Sequence, residues 1–176
     1  KRLVIAGEEM ALSPALLKPN VFVSVHVFRT FTRGSVLKNL FGCTPMVKKA
    51  KFHKNEIYPV LLADLFEASG GIDLAVLDGT FLYSDAADKH LPADVFIVGR
   101  DAVAVEAVGA WLAGLKPESL LHLPEFARRG LGVADLGSIE IVGASEGDFA
   151  HLKAVRKELK ALVKADVKAI IYASLD

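Results

Sequence analysis

A single cysteine, Cys43, stands among the 176 residues, so neither a disulfide framework nor a four-cysteine zinc or iron–sulfur site can be assembled from this chain alone. A reducing, cytoplasmic setting is the expectation from that usage. Long apolar runs are also scarce. The longest, Ala102 to Leu115, is broken by Glu106 and falls short of the roughly 20 residues that a membrane span needs. No membrane anchor is expected. The GxSxG, P-loop, GxGxxG and HExxH patterns are missing, which removes the usual sequence signposts of serine hydrolases, nucleotide binders and zinc proteases. The chain opens on Lys1 with no initiator Met and no basic-plus-apolar leader, and so reads as a fragment or processed product.

Acidic residues are lacking in one place. From Val21 to Asn55 there is no Asp or Glu, while Arg29, Arg33, Lys38, Lys48, Lys49, Lys51 and Lys54 all occur there. From Glu56 to Glu106 the sign reverses, with ten carboxylates against Lys89 and Arg100 alone. A formal net charge of zero hides this asymmetry, which points to recognition of an anion or an acidic partner such as a ferredoxin. Nucleic acid fits poorly, because Phe52 is the one aromatic within the Lys48 to Lys54 cluster and the net charge supplies no general attraction.

What is present describes a folded domain. The chain is 52% hydrophobic and 24% charged, its mean hydropathy is +0.38, and at this length it buries roughly 70% of its unfolded surface. One domain, 1–176, is expected. Val21 to Phe28 alternates strictly, four valines on one face and Phe22, Ser24, His26 and Phe28 on the other, which predicts a strand. Ser35 to Phe41 reads as a short helix with Ser35 as N-cap and Gly42 as stop. Ile57, Leu61, Leu62, Leu65 and Phe66 recur at helical spacing up to Gly70-Gly71.

Leu74 to Leu77 and Val95 to Val98 read as short buried parallel strands, the first ending at Asp78-Gly79 and the second at Gly99. Asp101 is placed to cap a helix over Ala102 to Ala113 that Gly114 stops. A further helix is predicted from Pro117 to near Gly130, then a last strand over Ile139 to Val142. From Phe149 on, Leu152, Val155, Leu159, Leu162 and Val163 form a stripe opposite Lys153, Arg156, Lys157, Lys160 and Lys164, an amphipathic C-terminal helix over 147–176. The pattern predicts an α/β fold: a mostly parallel open sheet flanked by helices.

The run Lys38-Asn39-Leu40-Phe41-Gly42, His53 after it, Asp78 closing an apolar strand, and Asp101-Ala102-Val103-Ala104-Val105-Glu106 opening a helix fall in an order that resembles the family called domain of unknown function 362. The resemblance covers roughly 21–144. It implies a domain without a settled activity, often joined to a ferredoxin-type iron–sulfur segment that this chain lacks, and with family sequence ahead of the first matching strand. Three departures stand out. Arg29-Thr30-Phe31 replaces an expected Lys-Thr-His, Phe81 to Asp85 replaces a Gly-Pro-rich loop, and Glu106 replaces an aspartate.

The chemistry expected from these residues is as follows. Arg29, Lys38 and Asn39, with backbone N–H groups at a helix start on Ser35, are candidates to bind a small anionic substrate. Asp78, at a strand end, and His53 are candidate acid–base groups, with an Asx turn and a solvated or structural role as the plainer alternatives. Asp78, Asp101 and Glu106 are candidate ligands for a divalent metal, Asp101 equally a helix cap and Glu106 a partner for Arg100 or another cation. His26 is read as packing and Cys43 as a small packed residue.

Overall fold

The computed structural model describes residues 2–18, 21–30, 33–45, 49–84 and 88–161. Phe31, Lys48, Asp85 and the stripe positions Leu162, Val163 and Lys164 lie outside them. In chain order the elements are β1 (Arg2–Ile5), β2 (Glu8–Ala11), α1 (Pro14–Leu17), β3 (Val23–Arg29), α2 (Asn39–Gly42), α3 (Tyr58–Ser69), β4 (Leu74–Ser84), β5 (Lys89–Gly99), α4 (Ala102–Leu112) and α5 (Leu123–Arg129). A short 3-10 turn covers Lys49–His53, and a last described helix occupies residues 152–161.

The fold is mixed α/β. β1 and β2 form an antiparallel hairpin turning at Ala6 and Gly7, both at positive φ, the conformation that a two-residue hairpin turn demands. The main sheet has the order β3-β4-β5. β3 runs parallel to β4, but β4 and β5 pair antiparallel through eleven-residue strands. The expected mostly parallel sheet is therefore corrected to a mixed one.

The cause lies at Asp78-Gly79. Where the apolar pattern stops, the strand does not: the pairing shifts register between Gly79 and Phe81, and β4 continues through Phe81-Leu82-Tyr83 to hairpin with β5. Gly79 permits this approach, since a Cβ there would sit 2.2 Å from the Val95 carbonyl oxygen. Ile139 to Val142 forms no strand. Its apolar residues instead line a groove of about 720 Å³ beside β5.

β3 keeps the predicted alternation. Ser24 and Phe28 are buried, and the valines face outward. In register across the sheet, Val25, Val76 and Val98 make one row and Val27, Asp78 and Phe96 the next. The other face carries Ala75, Leu77 and Val95 beneath the helices, where α4 lies on β4 and β5.

α3 and α4 begin and end close to the predicted places. Gly70 in the left-handed conformation closes α3, and Asp101 accepts from the Val103 and Ala104 amides at the start of α4. A main core joins α3, α4, α5 and the motif turn. A second joins Phe28, Leu82, Val108 and Leu112 to Leu152 and Leu159 of the last helix, whose Lys153, Lys157 and Lys160 face solvent. Among the described residues no helix is long and apolar enough to cross a membrane.

Candidate functional site

Between Arg33 and α2 the chain makes a tight turn that begins at Gly34, φ +83°. Its backbone is held from two directions. From β3, Ser24 Oγ donates to the Val36 carbonyl at 2.8 Å, and Asn39 Nδ2 donates to Ser24 Oγ and the Val25 carbonyl, each at 2.9 Å. From α4, the Glu106 carboxylate accepts the amide of Ser35 through Oε1 and that of Leu37 through Oε2, the second at 3.1 Å. Leu40 and Phe41 then sink into the core.

Two expectations change here. Ser35 is not an N-cap: the helix is one turn long, starts at Asn39 and has no side-chain cap, because the Ser35 amide is turned toward Glu106. Glu106 bonds to amides rather than to Arg100. It is 2% exposed, and burial pushes its carboxyl up to about 7 against the opposing pull of the Leu37, Ser35 and Val36 amides and the Arg29 charge. An acid with several N–H donors is ordinarily held low. Here desolvation wins.

The basic segment folds back over this turn. Arg33 Nη1 donates to the His53 carbonyl and lies 3.4 Å from His53 Nδ1, while Nη2 donates to Asn55 Oδ1 at 3.4 Å. Lys49 Nζ donates to the Phe41 carbonyl at 3.0 Å and sits 5.2 Å from the centre of the Phe41 ring. Among the described residues, all the partners of Arg33 and Lys49 are neutral. His53 meets Phe41 edge-on at 5.2 Å and stacks on Tyr58 at 6.0 Å. Burial, and then the charges of Arg33, Lys38 and Lys49, hold the imidazole below its usual 6.5.

Tyr58 donates to the Arg33 carbonyl at 2.8 Å, and its phenol is pushed up by burial and then by the Glu106 charge. Arg29 closes β3 with its guanidinium 5.7 Å from the Tyr83 ring centre. Its charge reaches Glu106 and Tyr58.

The strand and cap aspartates are engaged separately. Asp78 lies within β4 rather than at its end and accepts from the Thr80 amide at 3.0 Å and hydroxyl at 2.7 Å. These bonds hold it below the usual carboxylate range. Asp101 adds to its cap a bond from the Val133 amide at 2.8 Å. Among the described residues no group of three or more His, Cys, Asp or Glu is gathered to hold a metal.

His26 Nδ1 approaches the Val27 carbonyl at 3.0 Å, and Cys43 is exposed behind α2. The structure thus gathers Arg33, Lys49, His53 and Tyr58 with Lys38, Arg29 and Glu106, and leaves Asp78 to its bonds with Thr80 and Asp101 to the α4 cap and the Val133 amide. Arg33 and Lys49 were visible in the sequence only as part of an acid-free stretch. Tyr58 and the buried His122 carried no signal.

No curated protein and no solved structure matches the chain. A family model described as Domain of unknown function (DUF362) matches residues 6–111, taking in the turn, His53, β4 and the α4 motif. The match opens ahead of Val21 and closes within α4, not near Ala144. The chain belongs to the DUF362 family.

Proposed function

We propose that this domain binds a small oxyanion, phosphate or carboxylate, over the turn formed by Arg33 to Phe41, and that His53 exchanges a proton with it. The observation that carries the reading is the charge pattern around His53. Arg33, Lys38 and Lys49 all act on one imidazole, and the partners of Arg33 and Lys49 among the described residues are uncharged. Guanidinium and ammonium groups so arranged gain most from an oxyanion that accepts charge-assisted hydrogen bonds.

An imidazole held below 6.5 is neutral at pH 7 and can accept a proton there. Among the described residues Glu106 supplies the buried carboxylate beneath the turn. Enzyme-like chemistry on a small anionic substrate is the corresponding activity.

The test is calorimetric titration of the chain with inorganic phosphate and with acetate. At least one binds, and Lys49→Gln weakens it about tenfold or more, the loss of one charge-assisted bond. Binding equal in wild type and variant, or none with either ion, refutes the reading.

A further inference from the structure

His122 is completely buried, and among the described residues neither ring nitrogen has a hydrogen-bond partner. Phe126 and Tyr58 meet the ring edge-on at 5.9 and 6.4 Å, and burial pushes the imidazole down to about 3. Native interiors seldom leave such a group unsatisfied without a use for it. The motif turn lies beside it. The point where a Cβ on Gly34 would sit lies 2.9 Å from His122 Nε2, 2.3 Å from its Cε1 and 3.1 Å from Glu106 Oε1. Only glycine leaves open the space that the imidazole and the carboxylate both border. Its φ of +83° also puts it among the backbone conformations that a side chain would strain.

The amides of Ser35 and Leu37, converging on one carboxylate, have the geometry of a backbone nest for an oxyanion. At present that oxyanion is the protein's own. We propose that Glu106 has two positions: it fills the Ser35–Leu37 amides at rest, and it turns across Gly34 to hydrogen-bond His122 Nε2 when a phosphate-like oxyanion takes those amides. This rests on the oxyanion reading above and deepens it, by naming the group that the ligand displaces and the partner that receives it.

The proton count follows from the chemistry. In the turned position the neutral imidazole is the Nδ1–H tautomer, so Nε2 accepts, Glu106 donates as a carboxylic acid, and the proton comes from solvent. Binding of phosphate above pH 7 then takes up close to one proton. The other charged and titratable groups facing Glu106 are Arg29 from β3 and Tyr58 from α3. The arginine favours the carboxylate and so works against the turned position until the ligand's own charge offsets it.

The test uses the full chain with 15N-labelled histidine, titrated with inorganic phosphate while the His53 and His122 ring nitrogens are followed. Both rings shift in the wild type, and in Glu106→Gln the His53 shift persists while that of His122 shrinks. Calorimetry in buffers of different ionisation enthalpy reads the protons taken up, a number that His122→Phe lowers while weakening phosphate about tenfold, a common size for coupling between sites. Movement of His53 without His122, or an unchanged proton count in His122→Phe, overturns the two-position carboxyl and leaves the oxyanion site standing. Movement of neither ring overturns both.

Discussion

Burial sets Glu106 and His122 against each other as titrating groups. Glu106 ionises near 4.5 when unfolded and about 7 when folded, so its contribution to stability is complete below pH 4.5 and is lost as pH rises through 7. His122 is shifted the other way, from 6.5 to about 3. Its contribution is complete above pH 6.5 and is lost as pH falls toward 3. Between pH 4.5 and 6.5 the two slopes oppose, each at most about 1.4 kcal/mol per pH unit. These groups therefore give the wild type a plateau in that window, and Glu106→Gln a stability that climbs with pH. Urea melts at half-unit pH steps measure it; parallel profiles for the two proteins would exclude the assignment.

Little of this was legible from the sequence. Glu106 reads as an interruption in an apolar helix, and His122 as one polar residue within Leu120-Leu121-His122-Leu123. Their roles depend on a turn far earlier along the chain, as the separation of 71 between Ser35 and Glu106 records.

At the level of elements, what depends on local pattern was readable and what depends on pairing was not. The alternation of β3, the stripe of α3 with its Gly70 stop, and the Asp101 cap of α4 are each set within a few residues. The direction of β5 is not, because a strand four residues long and one eleven long look alike where the apolar run ends at Asp78. Gly79 sits in the Asx turn expected at Asp78, whose Oδ1 accepts the Thr80 amide, and is also a place of close backbone approach. Gly79→Ala drives a Cβ against the Val95 carbonyl, and backbone atoms in a paired hairpin cannot swing aside as a side-chain end can. The expected cost is about 3 kcal/mol, read as a lower urea midpoint with an unchanged slope. A variant as stable as wild type would mean that the hairpin does not close there.

For Ile139 to Val142, composition alone predicted a strand, and composition is a weak guide where no neighbouring edge accepts the segment. Ser35 illustrates the same limit from the other side. A serine before an apolar run is a plausible cap by type, yet a distant carboxylate claims its amide.

Across the whole molecule, β4 is the one strand of the main sheet bracketed on both sides. Ala75, Val76 and Leu77 face Ser24, Val25 and His26 on one edge and Gly99, Val98 and Ile97 on the other, while α4 lies beneath them. β3 and β5 have a single strand neighbour each among the described residues, and the β1–β2 hairpin is a separate two-stranded sheet, held to α3 through buried Ile5 and Met10 and the Ala6–Asp64 bond rather than by further strand pairing. Deuterium uptake follows this order. Amides of Ala75 to Leu77 exchange only through global opening, those of β3 and β5 sooner, and those of β1–β2 first. Mass spectrometry of peptides from a labelling time course reads the sequence of events. The last isotope to enter the chain therefore marks the strand whose neighbours run in opposite directions.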